Sequence, residues 1–107
     1  KIIIQARSIF LQGLLTKKIS SIKKVNINNE FFIKIKKLDN WCKINKITRL
    51  EACISYVRKI RGIDILTIGI NNSKELKEVL SIIKKNKKIK FHDFTTNNLK
   101  IIDPRKW

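Results

Sequence analysis

Two short runs of β-branched residues, Ile2–Ala6 (IIIQA) and Ile63–Ile70 (IDILTIGI), constrain this chain more than any other feature. Both are apolar enough to read as strands buried on both faces. Helical patterns fill the long segment between them, so the two runs are expected to pair in parallel through a right-handed crossover. Parallel strands buried on both faces need further strands and helical cover, and two alone do not make a stable domain. Lys1 leads directly into the first run, and the 107 residues contain no Met. The expectation is one domain, residues 1–107, that is a C-terminal piece of something larger, its N-terminal part missing.

Residues 7–15 form a loop after the first run, and 16–28 are rich in Lys, Ser and Asn without a clear period. A helix is predicted from about Glu30 to Ile44. Its stripe is Phe31, Ile35, Leu38 and Cys42, widened by Phe32 and Trp41, and Asn28 or Asn29 caps it. A second is predicted from about Thr48 to Ile60, where Thr48-x-x-Glu51 is a capping box and Leu50, Cys53, Ile54 and Val57 form the buried face. Gly62 suits the left-handed position that ends it. A third opens at Asn71-Asn72-Ser73, where Asn72-x-x-Glu75 resembles another capping box, with Leu76, Val79, Leu80 and Ile83 as its apolar face. After Asn86 the sequence is mixed and closes on Asp103-Pro104-Arg105-Lys106-Trp107.

The formal net charge is +17, which invites a nucleic-acid or anionic-lipid reading. However, 22 Ile, 20 Lys and 10 Asn make up 52 of the 107 residues, and all three have AT-rich codons. Base composition accounts for most of the excess. The basic residues are spread along the chain without aromatic interleaving, so a small basic nucleic-acid-binding module is the alternative and not the leading function. The 43% hydrophobic content suffices for a core. No apolar run approaches the roughly 18 residues of a membrane span, and no signal peptide is read, so the expected location is cytoplasmic with no membrane partner.

Cys42 and Cys53, eleven apart, match no zinc spacing, and His92 is remote from both; buried thiols and no metal are expected. His92 has no triad spacing to a Ser, Cys or carboxylate and reads as a surface residue. Lys84-Lys85-Asn86-Lys87-Lys88 suits a helix C-terminus, with phosphate-backbone contact as the alternative. In parallel α/β architectures ligands gather at the C-terminal ends of the strands. Two loops leave that end, Arg7–Gly13 and Gly69–Ser73. At the second, Gly69 permits close backbone approach beside a helix start whose free N–H groups suit an anion, the alternative being an ordinary capped turn.

Ala6-Arg7-Ser8-Ile9-Phe10-Leu11-Gln12-Gly13-Leu14-Leu15 resembles the aldo-keto reductase segment Tyr-Ser-Pro-Leu-x-x-Gly-Leu-Leu. Ile63–Ile70 followed by Ser73-Lys74-Glu75-Leu76-Lys77-Glu78 is similar to that family's last barrel strand and helix, and the closing Asp-Pro-Arg-Lys-Trp is similar to the ending of some bacterial members. The order and spacing of these blocks carry the resemblance across nearly the whole chain.

The resemblance implies an α/β fold, the C-terminal part of a (β/α)8 TIM barrel with its last two strands and their helices. Such barrels run to about 250 residues, so roughly 140 would precede this piece. It implies NAD(P)H-dependent reduction of an aldehyde, ketone or sugar carbonyl, with NADP or NAD as cofactor and a small carbonyl compound as substrate. The family's catalytic Asp, Tyr, Lys and His lie on earlier strands, so no catalytic residue is assigned here, neither Tyr56 nor His92, and the isolated chain is expected to be inactive. By resemblance the backbone of Ser8, Phe10 and Gly13 lines the pyrophosphate, Gly69, Asn71 and Asn72 approach the adenosine phosphate end, and Glu75 and Glu78 contact adenosine. Glu75 stands where Gln or Arg is common and Val79 where Asn is usual. A carboxylate repels a 2′-phosphate, which Arg7 or Lys74 could offset.

Overall fold

The computed structural model describes residues 1–22, 27–85 and 87–106. Part of the expected irregular stretch 16–28, Asn86 of the basic run and the closing Trp107 fall outside the described residues. Strand β1 is Gln5–Ala6, and helices α1 and α2 span Ile19–Ile22 and Asn29–Ile44. Helix α3 is Arg49–Lys59, strand β2 is Ile65–Leu66, helices α4 and α5 are Ser73–Lys85 and Leu99–Ile102, and a 3-10 turn covers Pro104–Lys106.

The helix starts follow local chemistry. The Asn28 side chain accepts from the Glu30 N–H at 2.7 Å, which satisfies one free donor of the first turn of α2. Thr48 does the same for α3, accepting from the Glu51 N–H at 3.0 Å. Gly62 takes φ +92° just after α3, a conformation that costs any residue with a Cβ.

The two β-branched runs do pair in parallel, with Gln5 opposite Ile65 and Ala6 opposite Leu66. The pairing stops there, and this corrects the barrel expectation. In place of the last two strands of a (β/α)8 barrel, the chain has a two-residue parallel pair attached to a predominantly helical globule. Ile2 and Ile4, expected to be buried on both faces, are 84% and 51% exposed. A parallel strand becomes long and buried only when neighbours bond both edges and helices cover both faces. Among the described residues each strand has one neighbour, and α3 packs against α2 and α4.

Among the described residues, three apolar clusters form the core. Phe31 and Ile35 of α2 meet Leu14, Ile22 and Ile101. Cys42 of α2 meets Ile47, Ala52 of α3 and Ile89. Ile54 of α3 meets Val79 and Ile82 of α4, with Phe10, Leu66 and Ile68 against them. Helix α3 therefore packs between α2 and α4 and holds the assembly together. The buried side of α4 differs from expectation: Val79 and Ile82 are buried, whereas Leu76, Leu80 and Ile83 are largely exposed. The short sheet covers only part of the apolar stripe, and α3 selects the side it touches.

Candidate functional site

The parallel register brings both loops to one end of the molecule. Residues 8–16 form consecutive turns, in which Ser8, Leu11, Gln12 and Gly13 all take positive φ. Gly13 accommodates this readily, but the other three carry a Cβ and are held there by the surrounding turns. The Phe10 carbonyl accepts from the Leu15 N–H at 3.1 Å, and the Gly13 carbonyl accepts from the Thr16 and Lys17 N–H groups. This loop is therefore internally bonded, and the Phe10 side chain packs partly buried against Ile54, Val79 and Ile82.

Beside it opens a cleft of about 900 Å3, bounded by the first turns of α3, the strand end Ile68–Ile70 and one face of α4. Of the residues expected at a cofactor, Phe10, Gly69, Glu75 and Glu78 line this cleft together; Ser8, Gly13, Asn71 and Asn72 lie outside its wall. An added Cβ at Gly69 would meet no atom within 4 Å, so the backbone there is open to a ligand.

The start of α4 is closed to anions by its own capping. Asn72 Oδ1 accepts from the Glu75 N–H at 2.9 Å, and the Glu75 carboxylate accepts from the Asn71 N–H at 2.9 Å. The Asn72 half of the anticipated capping box is thus made, while the Glu75 carboxylate turns back one residue further, to Asn71, and already sits where a phosphate would approach. The corresponding box at α3 is made in one direction only. Glu51 donates its N–H to Thr48, but among the described residues no donor reaches the Glu51 carboxylate.

Asp39, Lys43 and Arg49 close the far wall. Arg49 binds Asp39 at 3.0 Å and donates to the Leu15 carbonyl at 2.8 Å and to the Lys17 carbonyl. Asp39 also pairs with Lys43 at 2.9 Å. That Lys43 hydrogen bond, followed by the field of Arg49, holds the Asp39 carboxyl below the usual carboxylate range against the opposing effect of burial. The arrangement fixes the 14–17 turn against α2 and α3. Sequence reading did not anticipate Arg49, because its partners lie 10 and over 30 residues away.

A second cavity, of about 340 Å3, lies on the other side of α3, where Phe91 and Phe94 fold back over Cys53 and Tyr56. His92 and Asp93 are at its rim and exposed. Trp41 contacts Phe91 and Phe94, with ring centroids 5.6 and 5.7 Å apart, so the tail is anchored by aromatic packing. The cysteines are free. Burial pushes the Cys42 thiol up to about 11 and the Cys53 thiol up to about 12, which suppresses the thiolate and makes both poor nucleophiles. Cys42 is buried as expected, while Cys53 is only half-buried.

Among the described residues, no group of three or more His, Cys, Asp or Glu could hold a metal ion. None of their helices is long and apolar enough to cross a membrane. Compared with protein families, with curated proteins and with solved structures, the chain matches none of them.

Proposed function

We propose that this chain contributes the dinucleotide-binding loops of a cytoplasmic NAD(P)H-dependent oxidoreductase similar to the aldo-keto reductases, acting on an aldehyde, ketone or sugar carbonyl. One observation carries the reading. The parallel register of β1 and β2 sets the two loops that bear the resemblance side by side at the C-terminal ends of their strands, and Phe10 and Gly69 face one cleft. Its volume lies in the range of small-molecule and cofactor sites. Phe10 offers an apolar surface for a flat ring, and the Gly69 backbone offers close approach. Lys74 and Lys77 bring positive charge to a dinucleotide's phosphates from the exposed face of α4.

The chain's own residues bind and orient the ligand. Tyr56 and His92 line the second cavity and not this cleft, so neither is assigned to proton transfer. The test is calorimetric titration of the folded chain with NADH and NADPH. The reading expects saturable one-to-one binding that weakens in Gly69→Ala, whose added methyl enters open cleft space and leaves the fold unchanged. Absence of saturable binding, or binding indifferent to Gly69→Ala, overturns it. Binding of mixed-sequence DNA in its place, lost steeply as salt rises, would favour a basic nucleic-acid-binding module.

A further inference from the structure

The second cavity takes no part in the dinucleotide reading, and its wall has a chemistry of its own. One side of it is residues 89–95, a segment without helix or strand that is pinned by its contacts. Ile89 is buried in the cluster of Cys42 and Ala52, and its carbonyl accepts from the Lys59 ammonium. Asp93 makes a local turn, its Oδ1 accepting from the Thr95 N–H at 2.9 Å and from the Thr95 hydroxyl at 2.6 Å. Phe91 and Phe94, on either side of that turn, both reach the cavity. The rings stand as the walls of a box and not as a stack. Tyr56 meets Phe91 at 84° with centroids 5.5 Å apart, and His92 meets Phe94 at 64° and 4.9 Å. Of two perpendicular rings, one turns its face toward the edge of the other, so such a set encloses space with faces as well as edges. Ring faces are negative and attract cations. This cluster already holds one, since Lys59 Nζ lies 4.9 Å from the Phe91 centroid.

The charges agree with the rings. Lysine and arginine supply 25 of the 107 residues, and several line the first cleft, but among the described residues none lines this cavity. Its one carboxylate is Asp93, whose Oδ2 has no protein partner among the described residues. The Thr95 hydroxyl and N–H hold the Asp93 carboxyl below the usual range, with the fields of His92 and Lys34 as the weakest influences, so it is ionised at neutral pH. An anion would meet that carboxylate with no cation in the wall to hold it. We propose that the cavity binds an organic cation, a quaternary ammonium group on a small apolar body. The volume of about 340 Å3 is more than twice the roughly 150 Å3 that admits a benzene, so a ring and a trimethylammonium head both fit. The apolar body lies among Ile9, Leu38 and Val57, and the head lies between the rings with Asp93 at the mouth balancing its charge. A primary ammonium would bring three N–H donors, of which the apolar part of the wall satisfies none. Lys59 is not part of the wall, and salt screens its repulsion of a bound cation.

The experiment titrates the folded chain with choline, with its uncharged carbon isostere 3,3-dimethylbutan-1-ol, and with benzyltrimethylammonium, by calorimetry and by the NMR shifts of the Tyr56, Phe91 and Phe94 ring protons. Choline is expected to bind about tenfold more tightly than the alcohol, and benzyltrimethylammonium more tightly still. Asp93→Asn keeps an oxygen for the Thr95 donors and should weaken choline about threefold while leaving the alcohol unchanged. Tyr56→Leu should weaken choline by a similar factor, and Tyr56→Phe, which keeps the ring, should match wild type. Helicity and the unfolding midpoint, recorded for each variant, separate loss of the site from loss of the fold. A trimethyl-lysine in an otherwise neutral peptide distinguishes the source of the ammonium: tighter binding than choline assigns it to a modified protein, weaker binding to a free molecule, and both support the site. Equal affinity for choline and the alcohol, no saturable binding of benzyltrimethylammonium, or choline binding indifferent to both Asp93→Asn and Tyr56→Leu overturns it.

Discussion

Replacing Arg49 with alanine should destabilise the chain more than any other single change to a charged residue outside the helix caps. The Arg49 and Asp39 side chains are only 10% and 17% exposed and meet at 3.0 Å, while the guanidinium also donates to the Leu15 and Lys17 carbonyls. Hydrogen bonds to a charged group contribute about 1.5–3 kcal/mol each, and removing one partner of a buried pair costs about 3–5 kcal/mol. Discounts apply, because the Lys17 carbonyl belongs to an exposed residue that water can serve, and Asp39 keeps Lys43. The ion pair and the Leu15 carbonyl then set the loss at about 2–4 kcal/mol. That is a large part of the roughly 5–15 kcal/mol available to a small domain.

Urea unfolding followed by helical circular dichroism measures the loss. A double-mutant cycle with Asp39→Asn isolates the pair, with an expected coupling of about 1–2 kcal/mol. The pH dependence provides a second readout. Asp39 has a lowered pKa in the folded chain, so its contribution is complete above the usual carboxylate range near pH 4 and is lost as pH falls through the lower folded value. The cost of Arg49→Ala should shrink over that acidic window. A loss below about 0.5 kcal/mol at neutral pH would place the pair with ordinary surface salt bridges and refute the reasoning.

Two further outcomes follow from the same structure. Asn72→Ala removes the oxygen that accepts the Glu75 N–H and should cost about 1 kcal/mol, measured by thermal unfolding, with Asn72→Asp or Asn72→Ser close to wild type. Cys42 and Cys53, with thiols pushed up to about 11 and about 12, should react with a disulfide reagent at pH 7.5 far more slowly than free cysteine and reach full rate only in urea; rapid labelling of the folded chain would contradict the burial of Cys42 and the suppressed thiolate of half-buried Cys53.

Much of the local structure was legible. The Asn28, Thr48 and Asn72 caps and the turn at Gly62 depend on atoms within a few residues of one another, and each occurs where its side-chain chemistry requires. The Phe31, Ile35, Leu38, Cys42 stripe of α2 was also readable, because a wide apolar face packs inward whatever partner it meets. The candidate site was half legible. Phe10, Gly69, Glu75 and Glu78 share a cleft, but Asn71, Asn72 and Glu75 are bound to each other in a cap. Glu51 was read only as the partner of Thr48 in a capping box, and nothing in Thr48-x-x-Glu51 says whether the carboxylate turns back to the helix or away from it.

By itself the sequence determined where the three long helices α2, α3 and α4 begin, and that the two Ile-rich runs pair in parallel, whereas the short helices α1 and α5 went unread. Those outcomes rest on hydrogen bonds between near neighbours and on hydrophobic period, which travel with the chain. The tertiary structure alone decided how far the pairing extends, which face of α4 is covered, and that Glu51 is enclosed beside a cleft while Ile2 and Ile4 stand in solvent. Burial is a property of the space between elements. Helix α3, packed between α2 and α4, assigns that space, and no window of sequence contains all three.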